Sequence, residues 1–71
     1  MERENVDSKA VTSIGFDSSE STLEIEFKTT GAVWQYYEVP EFVFLEFKVS
    51  DSLGKYFNAN IKNQYRGSQV G

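Results

Sequence analysis

The segment TLEIEFKT, residues 22–29, carries the clearest structural signal in this 71-residue chain. From Thr22 to Lys28 its side chains alternate between polar and apolar. The apolar set is Leu23, Ile25 and Phe27. Glu24 and Glu26 lie between them and point the other way. This period of two is typical of a β-strand with one face on a core and the other in water. We therefore predict a strand here, with both glutamates in solvent.

One further strand is predicted on each side of this segment. The polar run 17–21 is typical of a hairpin loop, and Thr29-Thr30-Gly31 is typical of a turn in which Gly31 takes positive φ. The earlier strand starts at Lys9, and within it we expect Gly15 to mark a bulge or a close approach of backbone. The later strand spans residues 32–39. Because the connections are short, the three strands are predicted to form an antiparallel meander.

The strand over residues 32–39 is apolar on both faces. Val33, Tyr37 and Val39 share one face, and Trp34 and Tyr36 share the other. Such a strand is usually covered on both sides, which is the interpretation we favour. The alternative is that the sheet displays Trp34 and Tyr36 on an open face.

Two helices are predicted after this strand. Pro40 suits a first helical turn, and the helix continues to about Val49. At about 100° per residue its apolar side chains form two opposed stripes. One stripe is Val43, Phe44 and Phe47, and the other is Phe42, Leu45 and Val49.

Ser50-Asp51-Ser52 supplies N-cap candidates for the second helix. Its apolar residues recur at the spacing of an amphipathic helix, at Leu53, Tyr56, Phe57 and Ile61. The predicted fold is therefore α+β, in the order β-β-β-α-α. We expect the helices to pack on Leu23, Ile25 and Phe27 through Phe47, Phe57 and Ile61. Residues 1–8 and 66–71 are predicted to be flexible tails around a single domain at 9–65.

Composition narrows the possible chemistry. The chain has no Cys and no His, so thiolate nucleophiles, the usual zinc sites and imidazole catalysis are excluded. No nucleophile, phosphate-binding glycine loop or metal cluster stands out, and we expect neither an enzyme nor a bound cofactor or metal. No signal-peptide pattern or apolar run of about 20 residues occurs. We expect a cytoplasmic protein that does not bind membranes and has no evident small-molecule substrate.

The order of landmarks along the chain resembles that of the KTSC domain. The resemblance covers about Val6 to Tyr65 and rests on Trp34-Gln35-Tyr36, Val39-Pro40, Val43-Phe44, and Ser52 to Asn58 followed by Ile61. Its most specific part is Gly-x-Tyr-Phe-Asn at residues 54–58. The central aromatic pair of the family is usually Tyr-x-Tyr, and here Trp34 takes the first place. The resemblance implies a small single domain, with RNA binding suggested by its occurrence at the C-terminus of some lysyl-tRNA synthetases.

The leading functional hypothesis is a module that binds a protein partner or itself. Phe42 and Leu45 stand where the family commonly has polar residues. With Val49 they form an apolar surface, unless the N-terminal segment or first strand covers it. Trp34 and Tyr36 would belong to a partner surface if they are exposed.

The alternative hypothesis is RNA or tRNA-related binding. Residues 1–47 carry a net charge of −7 and residues 48–71 a net charge of +3, within a total of −4. Bases would stack on Trp34 and Tyr36. Phosphates would meet a basic strip of Lys55, Lys62 and Arg66, although an ordinary solvated face is the simpler interpretation. In a third hypothesis, the acidic half is a decoy that binds basic surfaces of a nucleic-acid-binding protein.

Overall fold

The computed structural model describes residues 1–71 as a five-stranded sheet with two helices packed on one face. The strands are β1 (Glu4–Asn5), β2 (Val11–Asp17), β3 (Thr22–Phe27), β4 (Val33–Tyr36) and β5 (Gly67–Gln69). The helices are α1 (Glu41–Val49) and α2 (Leu53–Asn60), and both lie between β4 and β5 in the chain. Neighbouring strands pair antiparallel in the order β1-β2-β3-β4-β5. The predicted α+β class with two helices is confirmed.

The predicted number of strands is wrong, because the sheet has five strands and not three. The two additional strands form in the segments predicted as tails. They are two and three residues long, and they show no apolar alternation. Backbone pairing holds them: β1 lies along β2, and β5 lies along β4. Pairing of this kind leaves no mark in the hydrophobic pattern.

Both helix starts follow from local chemistry. Pro40 is the N-cap of α1, without a side-chain cap, and Glu41 lies favourably in the first turn. Ser52 caps α2 by accepting a hydrogen bond from the backbone N–H of Lys55 at 3.3 Å. Neither helix is long and apolar enough to cross a membrane.

The core lies between the helices and one face of the sheet. In the β3–β4 register Leu23 pairs with Tyr36 and Ile25 pairs with Trp34, so these four side chains share the helix-covered face. The two helices contribute Val43, Phe47, Leu53, Phe57 and Ile61 to the buried cluster. The predicted packing of Phe47, Phe57 and Ile61 over Leu23 and Ile25 is confirmed, with Phe27 partly buried at its margin.

The other face of the sheet has no helix over it, yet it buries polar side chains. Glu24 is only 6% exposed, which corrects the expectation that it points into solvent. The guanidinium of Arg3 pairs with the Glu24 carboxylate, and Gln35 Nε2 donates to Glu24 Oε1 at 2.8 Å. Ser13 Oγ accepts from Arg3 Nε at 2.9 Å and donates to Glu26 Oε1 at 2.8 Å. We call Arg3, Ser13, Glu24, Glu26 and Gln35 the polar network.

Gly15 allows the polar network to form. A Cβ atom at this position would overlap the carbonyl oxygen of Glu2 and lie 3.3 Å from Cα of Arg3. The N-terminal segment therefore crosses the sheet directly over Gly15, which brings Arg3 to Glu24. The predicted close backbone approach is confirmed. The bulge lies elsewhere in β2, between Val11 and Ser13.

Candidate functional site

The apolar side chains of α1 divide between the core and solvent. Val43 and Phe47 are buried, and the half-buried Phe44 stacks on Phe16 with ring centroids 5.2 Å apart. On the opposite side, the exposed fractions are 62% for Phe42, 52% for Leu45 and 79% for Val49. We call these three residues the α1 stripe. Neither the N-terminal segment nor β2 covers it, so this surface is available for contact.

Two charged side chains of α1 next to the stripe, Glu46 and Lys48, are bound by other parts of the chain. Glu46 Oε1 accepts a hydrogen bond from the Tyr56 hydroxyl at 2.8 Å, and Lys48 Nζ lies 2.8 Å from Glu4 Oε1. Burial, the hydrogen bond to Glu46 and its negative charge raise the pKa of Tyr56 to about 12. This hydroxyl therefore stays protonated and able to donate at neutral pH.

Trp34 and Tyr36 do not form an open platform. Both lie on the helix-covered face of β4, where Tyr36 is 6% exposed and Trp34 is half-buried. Their rings stack on each other with centroids 6.2 Å apart and planes 19° apart. Burial raises the pKa of the Tyr36 hydroxyl. Tyr36 is thus a core residue, and Trp34 lies at the edge of the core.

Trp34 is half-buried because a cleft separates this end of the sheet from α2. The cavity has a volume of about 570 Å³. Four rings contribute to its walls: Phe27, Trp34, Tyr36 and Phe57. Phe57 meets both Phe27 and Tyr36 edge to face, with centroids 5.1 and 5.5 Å away. We call this cavity the aromatic cleft.

Two glycines shape the aromatic cleft. A Cβ atom on Gly54 would lie 3.2 Å from Cβ of Ala10, so the start of α2 approaches the segment just before β2 closely. A Cβ atom on Gly67 would lie 2.5 Å from Cε1 of Tyr36. The Tyr36 ring therefore lies against the backbone of β5, where a larger residue would displace it.

The basic residues predicted to bind nucleic acid do not line one groove. Lys62 lines the aromatic cleft, Lys55 a second groove next to Ser8 and Asp51, and Arg66 a third beside Tyr37 and Tyr65. A single basic strip would require α2 to continue past Lys62. Helix α2 ends at Asn60, so Lys55 and Lys62 do not lie on one helix face. Of the three basic residues, only Lys62 therefore shares a surface with Trp34 and Tyr36.

Sequence reasoning missed the aromatic cleft as a site. The sequence pattern places Phe27 and Phe57 in the core and indicates no role for Asn58, which lines the cleft. The signal was nevertheless present, because the two most characteristic stretches of the resemblance meet here. Trp34 and Tyr36 come from the first, and Gly54, Phe57 and Asn58 come from the second.

Comparisons with known proteins agree with this fold. A family model described as the KTSC domain matches residues 7–65. A protein of Tsukamurella paurometabola is 38% identical over 61 residues, which cover 86% of this chain and 90% of that protein. An uncharacterised protein of Stutzerimonas stutzeri is 37% identical over 65 residues, covering 92% and 90%. The crystal structure of a KTSC domain protein from Yersinia pestis superposes with a TM-score of 0.94 at 34% identity, covering 99% of this chain and 97% of that one.

Proposed function

The chain belongs to the KTSC domain family, and we propose that it is a non-enzymatic interaction module that docks on protein through the α1 stripe. The observation that carries the proposal is the exposure of Phe42, Leu45 and Val49, each by more than half, on a helix whose other face already fills the core. A contiguous apolar surface on a small domain marks a contact site. The occupant that its geometry fits is a second copy of this chain.

The spacing of the stripe is suited to pairing with itself. Phe42 lies three residues before Leu45, and Val49 lies four residues after it. If two copies of α1 pack antiparallel about a two-fold axis at Leu45, the two Leu45 side chains meet. Phe42 of each copy then packs against Val49 of the other. All three apolar side chains are buried in one symmetric contact.

Charge along the stripe also favours the antiparallel arrangement. Glu41 and Lys48 are seven residues apart and lie along the same edge of the stripe. The two-fold axis places Glu41 of one copy beside Lys48 of the other, which already pairs with Glu4 of its own chain. Glu46 lies on the opposite edge, where its carboxylate is bound by Tyr56 of its own chain. The ionic contribution is therefore small, and apolar burial supplies most of the association free energy.

The test is sedimentation velocity over a range of protein concentrations. We expect the sedimentation coefficient to rise with concentration, and Leu45→Glu to abolish the rise because it places two carboxylates at the centre of the contact. Val70→Glu is the matched control, because Val70 is also an exposed aliphatic residue, 51% accessible, outside α1. It should associate like the unchanged chain. Raising the salt concentration should leave the association in place.

Two results would overturn this proposal. One is a monomer at every concentration up to the millimolar range. The other is an equal loss of association in Leu45→Glu and Val70→Glu, which would indicate a general effect of added charge. Circular dichroism of both variants establishes that the comparison is made between folded proteins.

A further inference from the structure

We propose that the aromatic cleft is a binding site for a small planar aromatic carboxylate. This site is separate from the α1 stripe, because no residue of α1 lines the cleft. Its occupant follows from three independent properties: the size and apolar walls of the cavity, the sign of the charge around it, and the amide groups on its α2 side.

The size and walls of the cleft fit a small ring system. A volume of about 570 Å³ lies within the range of about 300–1,000 Å³ that is usual for small-molecule sites. Ile25 is fully buried, whereas its cross-strand partner Trp34 is half-buried on the same face of the sheet. The helices therefore leave this end of the apolar face uncovered. The half-buried rings of Phe27 and Trp34 are partly exposed in a wall that also includes Tyr36 and Phe57. A flat aromatic ligand therefore gains offset-stacked and edge contacts that an aliphatic one lacks.

The charge around the cleft selects an anion. The chain has 11 acidic residues, and none of them lines this cavity. Lys62 is the single charged residue in the lining. The ion pairs of the structure involve Arg3 and Lys48, so Lys62 is not neutralised by a carboxylate of its own chain. One free cation beside apolar walls fits a ligand with one negative charge.

Amide side chains complete the polar part of the cleft. Asn58 and Asn63 line it on either side of Lys62 in the chain. Both side chains are solvent-exposed, and neither forms a hydrogen bond within the protein, so their N–H groups remain available. An amide donor beside an ammonium group suits the two oxygens of a carboxylate. A few polar groups around an apolar cavity are typical of sites that fix the orientation of a small ligand.

The test is an NMR titration of the whole chain with three probes. Trp34 is the only tryptophan, so its indole N–H gives a single signal from inside the cleft. The probes are 2-naphthoate, which is planar and anionic, 2-naphthamide, which is planar and neutral, and cyclohexanecarboxylate, which is anionic and not planar. We expect saturable shifts of the Trp34 indole signal and of the Asn58 and Asn63 amides with 2-naphthoate. The other two probes should bind at least about fivefold more weakly.

Two exposed substitutions test the role of charge without disturbing the core. Lys62→Gln should weaken 2-naphthoate binding about fivefold and leave 2-naphthamide unchanged. Asn58→Asp should weaken the naphthoate selectively as well, because it adds a negative charge to the cleft. Lys55→Gln removes the same charge from α2 in a different groove, and it should bind both probes like the unchanged chain.

Three outcomes would overturn the proposal. The first is the absence of saturable shifts at millimolar 2-naphthoate. The second is an equal loss in Lys62→Gln and Lys55→Gln, which would indicate only a general charge effect. The third is a response of the Trp34 signal to a short single-stranded RNA with none to 2-naphthoate, which would assign the cleft to nucleic acid. None of these results depends on self-association through the α1 stripe.

Discussion

The two faces of the sheet bury their side chains by different means. On the helix-covered face, α1 and α2 pack Phe47 and Phe57 over Ile25 and its neighbours, and the contacts are almost entirely apolar. On the other face no helix is present. There, Arg3 and Gln35 pair with the buried Glu24 carboxylate, and the backbone of the N-terminal segment lies against Gly15.

The two faces of the sheet differ in how well they tolerate substitution. Apolar packing depends on volume and shape, and it is spread over many contacts. The polar network depends on each donor meeting its acceptor, because an unpaired buried carboxylate or guanidinium is costly. We therefore expect the largest losses of stability from the helix-covered face, and the strongest pH dependence from the polar face.

The largest effect is expected from Phe47→Ala, which removes the bulkiest fully buried side chain. We expect the free energy of unfolding to fall by about 3–5 kcal/mol, through lost burial and the cavity left behind. Urea denaturation followed by circular dichroism measures the change. Phe42→Ala is the matched control in the same helix and, at a protein concentration low enough to keep the chain monomeric, should change stability by less than about 0.5 kcal/mol. Similar losses in both variants would contradict the division of α1 into a core side and a solvent side.

The second-largest loss of stability is expected from Glu24→Gln. Burial pushes the pKa of Glu24 up, but hydrogen bonds from Gln35 and Arg3 and the charge of Arg3 outweigh it, so the pKa lies below its usual value of 4.5. A carboxyl group with a lowered folded-state pKa stabilises the fold above its unfolded pKa, and this stabilisation is lost as pH falls through the folded pKa. At pH 7 we expect Glu24→Gln to cost about 1.5–3 kcal/mol, a range typical of hydrogen bonds to charged groups.

The measurement for Glu24 is urea denaturation at a series of pH values from 7 to 3. The stability difference between the unchanged chain and Glu24→Gln should shrink as the pH falls below about 4.5. Glu20→Gln is the control, because Glu20 is exposed and in no ion pair. A difference that stays constant over this range would show that the charge of Glu24 is not what stabilises the polar face.

A smaller effect is expected from Gly15→Ala. The added methyl group would overlap the Glu2 carbonyl, and the N-terminal segment would have to lift from the sheet. We expect a loss of about 1–2 kcal/mol, in the usual range for an overpacked site. The loss should be smaller in a chain that already carries Arg3→Met, because lifting the N-terminal segment then no longer breaks the ion pair between Arg3 and Glu24. Additive losses in the double variant would separate Gly15 from the polar network.

The helix-covered face was predictable because its information lies in local periodicity. The alternation at Leu23, Ile25 and Phe27 and the helical spacing of Leu53, Phe57 and Ile61 each point to one buried side. The polar face was not predictable in this way. Glu24 has the pattern of a solvent-facing residue, and its burial depends on Arg3, which is 21 residues away in sequence. The strands at both ends were missed for the same reason.

The two candidate surfaces also differ in how far they could be predicted from the sequence. The α1 stripe was visible because a short helix with two apolar stripes has one more than a core requires. The aromatic cleft was not visible in the sequence. The alternation of side chains gives the face of the sheet on which Trp34 lies, but it does not give how far α2 extends over that face. The basic set of Lys55, Lys62 and Arg66 failed as a single strip because α2 ends at Asn60, where the sequence pattern allowed it to continue.

The contact between Gly67 and Tyr36 links the aromatic cleft to the opening of the sheet edge. β5 is only three residues long and lies at the edge, so its backbone hydrogen bonds to β4 open more readily than those of the central strands. When β5 opens, the Tyr36 ring loses the backbone against which it lies, and one wall of the cleft is removed. A ligand held in the cleft should therefore slow amide hydrogen exchange in β5. Ligand binding in the cleft would then reduce the opening of the C-terminal edge of the sheet without any change in the folded structure.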